Sequence, residues 1–194
     1  MAQPRRIALF GGTFDPIHQG HLEIATKAID LLSLEAVFFI PCRQSPHKEQ
    51  LPRASDADRL EMLATATRPF PWARVDPIEL QKPPPSYTWE TVAAFRERFP
   101  ENTALHILIG EDQWIKLSGW KNHQYLAETV HFIVVGRDRK PKPRPGYRAR
   151  FIEGNHPASS NEIRSKLSMG LEPDWLPDAV SRFILEKGLY SSLP

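Results

Sequence analysis

The feature that most constrains this chain is an alternation of short apolar runs with longer segments of helical period. Residues 6–10, 36–40, 104–109 and 130–135 are compact runs rich in β-branched and aromatic side chains. A strand apolar on both faces is covered on both faces, which is the condition of a parallel sheet sandwiched between helices. Between the runs lie helical patterns. In 20–32, Ile24, Ala28, Leu31 and Leu32 fall on one face; in 55–67, Leu60, Leu63 and Ala64 do so behind a Ser/Asp start; in 88–99, Val92, Phe95 and Phe99 recur. The expected fold is α/β, a doubly wound, Rossmann-like parallel sheet with C-terminal helices, and one domain over residues 1–194. Ligands of such sheets bind at the carboxyl ends of the strands, so chemistry is expected just after Phe10, Ile40 and Ile109.

Composition narrows the function. Of 194 residues 25 are Lys or Arg and 23 are Asp or Glu, a net charge of +2, too even for a strongly electrostatic nucleic-acid or membrane binder. A single cysteine, Cys42, forms no internal disulfide. No apolar run reaches the roughly 18 residues that span a bilayer. The opening MAQPRRIALF lacks a signal peptide's apolar stretch and cleavage site. A cytoplasmic protein is expected, its state as monomer or homo-oligomer undecided.

The C-terminal third carries different punctuation. Residues 136–148 are rich in Pro, Arg and Lys and read as a mobile basic loop; 150–152 read as a short strand. One helix opens at Ser159 with Glu162 at capping-box spacing and stops at Gly170. A second has Pro177 near its start and Gly188 just past its end.

The most specific string is RIALFGGTFDPIHQGH. Gly11-Gly12 at a strand end lets backbone approach a bulky ligand and offers N–H groups to phosphate. His18 and His21, three apart in a first helical turn, project to one side, where the helix N-terminus already favours an anion. Two imidazoles there suit a polyphosphate and the charge of a five-coordinate phosphorus. The string is neither a P-loop nor G-x-G-x-x-G. A zinc-binding His pair is the alternative, but no further Cys/His pair stands at metal spacing. At the other end Ser159, Ser160 and Arg164 put two hydroxyls and a charged fork at a helix start, which suits phosphate groups, or else they form an ordinary capped surface helix. Asp112, two residues past Gly110, suits a ribose hydroxyl or a helix cap. Arg137, leaving the 130–135 strand, is within reach of a phosphate or is solvated with the basic loop.

GGTFDPIHQGH resembles the signature of the HxGH nucleotidyltransferase superfamily, and specifically of bacterial nicotinate-nucleotide adenylyltransferases. The run Ser159-Ser160-Asn161-Glu162-Ile163-Arg164 is similar to its second motif, departing at Asn161 (usually Thr) and Ala158 (usually Ile). SPHK (45–48), PSYT (85–88), IGED (109–112) and Trp120 fall in the family's order. The resemblance implies that Gly11, Gly12, Thr13, Phe14, His18, His21, Ser159, Ser160, Asn161 and Arg164 bind ATP. It implies that Ser86, Tyr87, Thr88, Asp112, Trp120 and Arg137 bind nicotinate mononucleotide, Tyr87 and Trp120 as stacking faces. His18, His21, Lys48 and Arg164 would be catalytic, Lys48 neutralising phosphate charge or being a solvated loop residue. Mg²⁺ would arrive on the ATP, since no carboxylate cage for a metal is evident. The implied reaction gives deamido-NAD and pyrophosphate. Its rivals are another acceptor (nicotinamide mononucleotide, pantetheine phosphate, FMN or glycerol phosphate), a non-catalytic nucleotide sensor, and a nucleic-acid module built on the basic loop.

Overall fold

The computed structural model describes residues 5–46, 50–136 and 142–191. The chain runs β1 (Arg6–Gly12), α1 (Gln19–Leu32), β2 (Ala36–Pro41), α2 (Asp56–Thr67), β3 (Ala73–Val75), α3 (Thr88–Arg98), β4 (Ala104–Gly110), α4 (Glu111–Lys116), a 3₁₀ turn (Leu117–Gly119), α5 (His123–Thr129), β5 (His131–Gly136), β6 (Ala149–Glu153), α6 (Ser160–Ser168) and α7 (Asp178–Lys187). Among the described residues six strands form one sheet, ordered β3-β2-β1-β4-β5-β6, and every pairing is parallel. The four apolar runs are β1, β2, β4 and β5, as their composition predicts. β3 is an unpredicted edge strand, three residues long and too short to show a period.

This order fixes where a ligand can enter. From β1 the chain winds outward through β2 to β3, then returns past β1 to β4 and winds the other way. The connections leaving β1 and β4 therefore diverge, opening a crevice beyond their carboxyl ends. Alternation along the strands splits the core into two layers. Ala8, Phe10, Val37, Phe39 and Ile133 meet Leu22, Ala25, Met62, Leu63, Ile163 and Ile184 on one face. Ile7, Leu9, Leu105, Ile107 and Phe132 meet Val92, Phe95, Trp114 and Leu126 on the other. Each large side chain withdrawn from water contributes about 1.5–3 kcal/mol, which offsets the entropy of ordering the crossovers.

Two helical faces differ from expectation. In α1 the buried stripe is Gly20, Leu22, Ala25 and Ala28, while Leu31 is 66% exposed. In α2 it runs through Arg59, Met62, Leu63, Ala66 and Thr67, and Ala64 is exposed. Of the segment expected to be a mobile basic loop, residues 142–148 are tied down: Trp114 Nε1–H donates to the Lys142 carbonyl at 3.0 Å, and Arg144 donates to the Ile115 carbonyl at 3.0 Å.

At the end of the sheet away from the crevice, His106 and His131 are register partners with ring centroids 5.2 Å apart. His106 Nδ1–H faces the Ile7 and Ala104 carbonyls, each at 3.2 Å. Burial is the first cause that holds both imidazoles below the ordinary value of 6.5, helped by the neighbouring Arg6 charge. The unfolded chain takes up these protons near pH 6.5 and the folded chain resists them, so this contribution is lost as pH falls below about 6.5. Urea midpoints at pH 7.5 and pH 5 should show stability dropping on acidification. The drop should be shallower in His131→Asn; an unchanged slope would assign the acid sensitivity elsewhere.

Candidate active site

Beyond β1 the chain passes through Thr13 to Pro16 before α1 starts, and four distant segments hold this loop. The buried Asp15 carboxylate accepts from the Arg53 and Ala54 amides at 2.9 and 3.1 Å and from the Tyr190 hydroxyl at 2.7 Å. Arg59 donates to the Thr13 carbonyl at 2.7 Å, and Ser160 Oγ–H to the Pro16 carbonyl at 3.0 Å. Arg164 donates to the Asp15 carbonyl and lies 3.7 Å from its carboxylate. The turn after β1 and the start of α6 therefore meet, as the two motifs require.

That anchoring presents the imidazoles. His18 and His21 stack with centroids 3.7 Å apart. The His18 backbone N–H donates to His21 Nδ1 at 3.2 Å, so the proton of a neutral His21 sits on Nε2. Burial first, then the neighbouring His18 and His156, push the His21 pKa well below 6.5. His21 is thus a neutral N–H donor and not a cation. Phe14, buried with φ 47°, lies edge-on beneath His21 at 5.0 Å. It supports the ring from the core and stands outside the described walls of both cavities below.

Two cavities open at the crevice and share Phe10, Ile109 and Gly110. One, of about 640 Å³, is walled by His18, His21, Ser159 and Ser160, with Asp112 and His156. The other, of about 570 Å³, is walled by Gly11, Gly12, Thr13, Ser86, Tyr87, Thr88 and Trp120, with Glu79, Gln113 and Lys121. Gly11, Gly12 and Thr13, expected at ATP, border the aromatic cavity, and Asp112, expected at the mononucleotide, borders the imidazole cavity; both positions lie beside the Phe10–Gly110 junction that the two lobes share. Arg164 donates to Asn161 Oδ1 and to the loop at the Asp15 carbonyl; neither residue is among the described walls. The capping box expected at α6 does not form among the described residues: Ser159 is the N-cap without a side-chain cap bond, its neighbour Ser160 being bonded to Pro16. Lys48 and Arg137 lie outside the described residues.

The adjacent glycines differ in purpose. A Cβ on Gly12 would come 2.9 Å from Phe14 Cζ, whereas one on Gly11 meets nothing within 4 Å among the described residues. Gly12 serves packing and Gly11 leaves open space. Gly11→Ala should keep the parent Tm within a degree or two while raising KM for the ligand of the aromatic cavity about tenfold, since a methyl forced into filled space costs about 1–3 kcal/mol. An unchanged KM would show that the ligand does not approach this backbone.

Sequence reasoning missed three residues. Lys121 lies 4.5 Å from the Tyr87 ring centroid, over one aromatic face. Glu79 is buried, accepts from Thr91 Oγ at 2.6 Å, and is pushed above the usual carboxylate range by burial. His156 follows β6, whose carboxyl end faces the same crevice; that placement was the available signal. Among the described residues no group of three or more His, Cys, Asp or Glu is gathered to hold a metal, and no helix is long and apolar enough to cross a membrane.

A doubly wound sheet with imidazoles at the helix that follows β1 and a two-lobed crevice at its switch point defines a nucleotide-binding protein. The cytidylyltransferase-like family model matches residues 9–166. The chain is 39% identical over 192 residues to a probable nicotinate-nucleotide adenylyltransferase of Methylacidiphilum infernorum, covering 95% of this chain and 92% of that one. It is 32% identical to the nicotinate-nucleotide adenylyltransferase of Bacillus subtilis, covering 97% and 100%. The fold is that of Plasmodium falciparum nicotinic acid mononucleotide adenylyltransferase complexed with NaAD, with a TM-score of 0.80 at 18% identity over 96% of this chain and 97% of that one. The chain belongs to the cytidylyltransferase-like family and, within it, to the nicotinate-nucleotide adenylyltransferases.

Proposed function

We propose that this enzyme transfers the adenylyl group of ATP to nicotinate mononucleotide, yielding deamido-NAD and pyrophosphate. The observation that carries the reading is the pair of fused lobes. One offers imidazoles and the α6 start to a triphosphate; the other offers Trp120, Tyr87 and the α3 start to a flat anionic ring. They join at Phe10, Ile109 and Gly110, where an acceptor phosphate and an α-phosphorus can meet. The mononucleotide's 5′-phosphate oxygen forms a bond to the α-phosphorus as the bond to the β-phosphate oxygen breaks, and pyrophosphate leaves. The acceptor is already an anion, so no protein nucleophile is needed. Catalysis is positioning and charge stabilisation.

His18 and His21 donate to the phosphates. Ser159 Oγ–H and the backbone N–H groups at the start of α6 hold the β- and γ-phosphates, while Ser160 Oγ–H stays on the Pro16 carbonyl and fixes where that helix begins. Arg164 acts from its place behind the loop, fixing the Asp15 carbonyl and so the His18 ring. The amides of Tyr87 and Thr88 receive the nicotinate carboxylate, the Ser86 N–H being bonded to the Gln44 carbonyl at 2.9 Å, and Asp112 receives the adenosine ribose. Lys48 and Arg137, outside the described residues, keep the charge-neutralising and phosphate-binding roles that the resemblance implies. Magnesium enters as part of the nucleotide substrate.

Pyrophosphate release with ATP and a panel of acceptors tests this: nicotinate mononucleotide, nicotinamide mononucleotide, pantetheine phosphate, FMN and glycerol phosphate. The reading expects the highest kcat/KM with nicotinate mononucleotide. Preference for another acceptor would reassign the substrate; binding of ATP and mononucleotide without release would make the chain a sensor.

A further inference from the structure

His156 stands outside both sequence motifs yet forms a wall of the imidazole cavity with His18, His21 and Ser159. Its orientation is fixed. Nδ1 accepts the Ala158 backbone N–H at 3.1 Å, which leaves Nε2 as the N–H donor. The ring lies edge-on to Trp175 with centroids 4.9 Å apart. Space for it exists because residue 20 is glycine: a Cβ there would lie 3.1 Å from His156 Nδ1 and 3.2 Å from His18 Nδ1. Nε2 lies 3.8 Å from Glu23 Oε2, longer than a hydrogen bond, and Glu23 is itself bound to Lys27 at 2.6 Å.

We infer that His156 is a third imidazole of the triphosphate lobe, donating from Nε2 to the phosphate groups that depart as pyrophosphate. This rests on the proposed adenylyl transfer only for which lobe takes the triphosphate. The position supports the outer phosphates: His156 enters from the β6–α6 connection, beside the helix start that carries Ser159 and Ser160, while His18 and His21 enter from β1. A polyphosphate in this lobe is then held between donors on both sides. With no phosphate bound, Glu23 is the competing acceptor for the same N–H.

Inorganic tripolyphosphate is the probe, titrated calorimetrically into the full chain. Two variants leave His18, His21 and both serines in place: His156→Leu, which keeps ring-like bulk against Trp175 and loses the donor, and His156→Gln, whose amide restores one. Loss of one hydrogen bond to a charged group should weaken tripolyphosphate binding about tenfold or more in His156→Leu, with His156→Gln regaining most of it. Glu23→Gln removes the competing carboxylate, so binding should tighten, an effect that a merely structural His156 would not produce. In pyrophosphorolysis, His156→Leu should raise KM for pyrophosphate and leave KM for the dinucleotide unchanged. Equal tripolyphosphate affinity in parent and His156→Leu, both melting at the same temperature, would overturn the role of His156 and leave adenylyl transfer standing. If the parent itself binds no tripolyphosphate, the assignment of this lobe to the triphosphate falls too.

Discussion

His18→Ala should lower kcat by two to three orders of magnitude while KM for ATP changes severalfold at most. The ring is 7% exposed, stacked on His21 at 3.7 Å, and sits at the N-cap of α1, where the helix dipole already favours an anion. On the proposed reading the triphosphate has other donors in the ground state: the α6 start, Ser159 and the His21 Nε2–H. What grows in the transition state is charge on the oxygens of the five-coordinate α-phosphorus and on the leaving pyrophosphate. A preorganised N–H aimed there is worth far more at that moment than in the ground state, so its loss falls on kcat. Removing one such donor from a preorganised site costs about 10²–10³ in rate. Because His21 is held neutral, it cannot replace the lost ring with a full charge. The check is steady-state pyrophosphate release by a variant whose melting curve matches the parent's. Turnover within threefold of the parent would remove His18 from the chemistry.

Much of this was legible because burial on both faces leaves its mark on sequence. Strands such as 36–40 have no polar side to misread, and two imidazoles three apart can point only one way from a first helical turn. What escaped was decided by neighbours. The 3.6-residue period fixes that α1 has an apolar stripe but tolerates a rotation about its axis, so Leu31 was placed inside while Leu22 and Ala25 are the buried residues. The Ser159/Glu162 spacing matches a capping box, yet here the start of α6 is bonded to the β1–α1 loop through Ser160. A run of Lys, Arg and Pro reads as solvated, and nothing local says that Arg144 will lie 5.9 Å from the Trp114 ring centroid. α4 and α5, of 6 and 7 residues, are too short for a period to emerge. His156 was invisible for a related reason: a lone histidine before a proline has no spacing to read until β6 and α1 are brought together.

Asp15→Ala should cost about 3–5 kcal/mol of stability, although Asp15 touches neither cavity wall. It is 4% exposed, and its carboxylate is shared by two backbone amides, the Tyr190 hydroxyl and the Arg164 guanidinium. Burial and the Asp15 charge push the Tyr190 hydroxyl far above its ordinary pKa, so Tyr190 remains a donor at any working pH and needs that acceptor. Truncation leaves buried donors unmet and a half-buried cation without its partner, the costly half of the buried-ion-pair asymmetry. For a chain of this size the loss corresponds to a fall in Tm on the order of 10 °C. Tyr190→Phe removes one donor together with its need, and should cost only about 1 kcal/mol. Asp15→Asn should resemble Asp15→Ala more than the parent, because an amide nitrogen would face an N–H or O–H where an oxygen now accepts. The loop that Asp15 anchors carries His18 directly, so the folded fraction of Asp15→Ala should also lose kcat. Urea denaturation of the three variants separates these terms. A Tm within 2 °C of the parent for Asp15→Ala would mean that Arg59, Ser160 and Arg164 hold the loop without it, and the anchor would then lie in their bonds to the Thr13, Pro16 and Asp15 carbonyls.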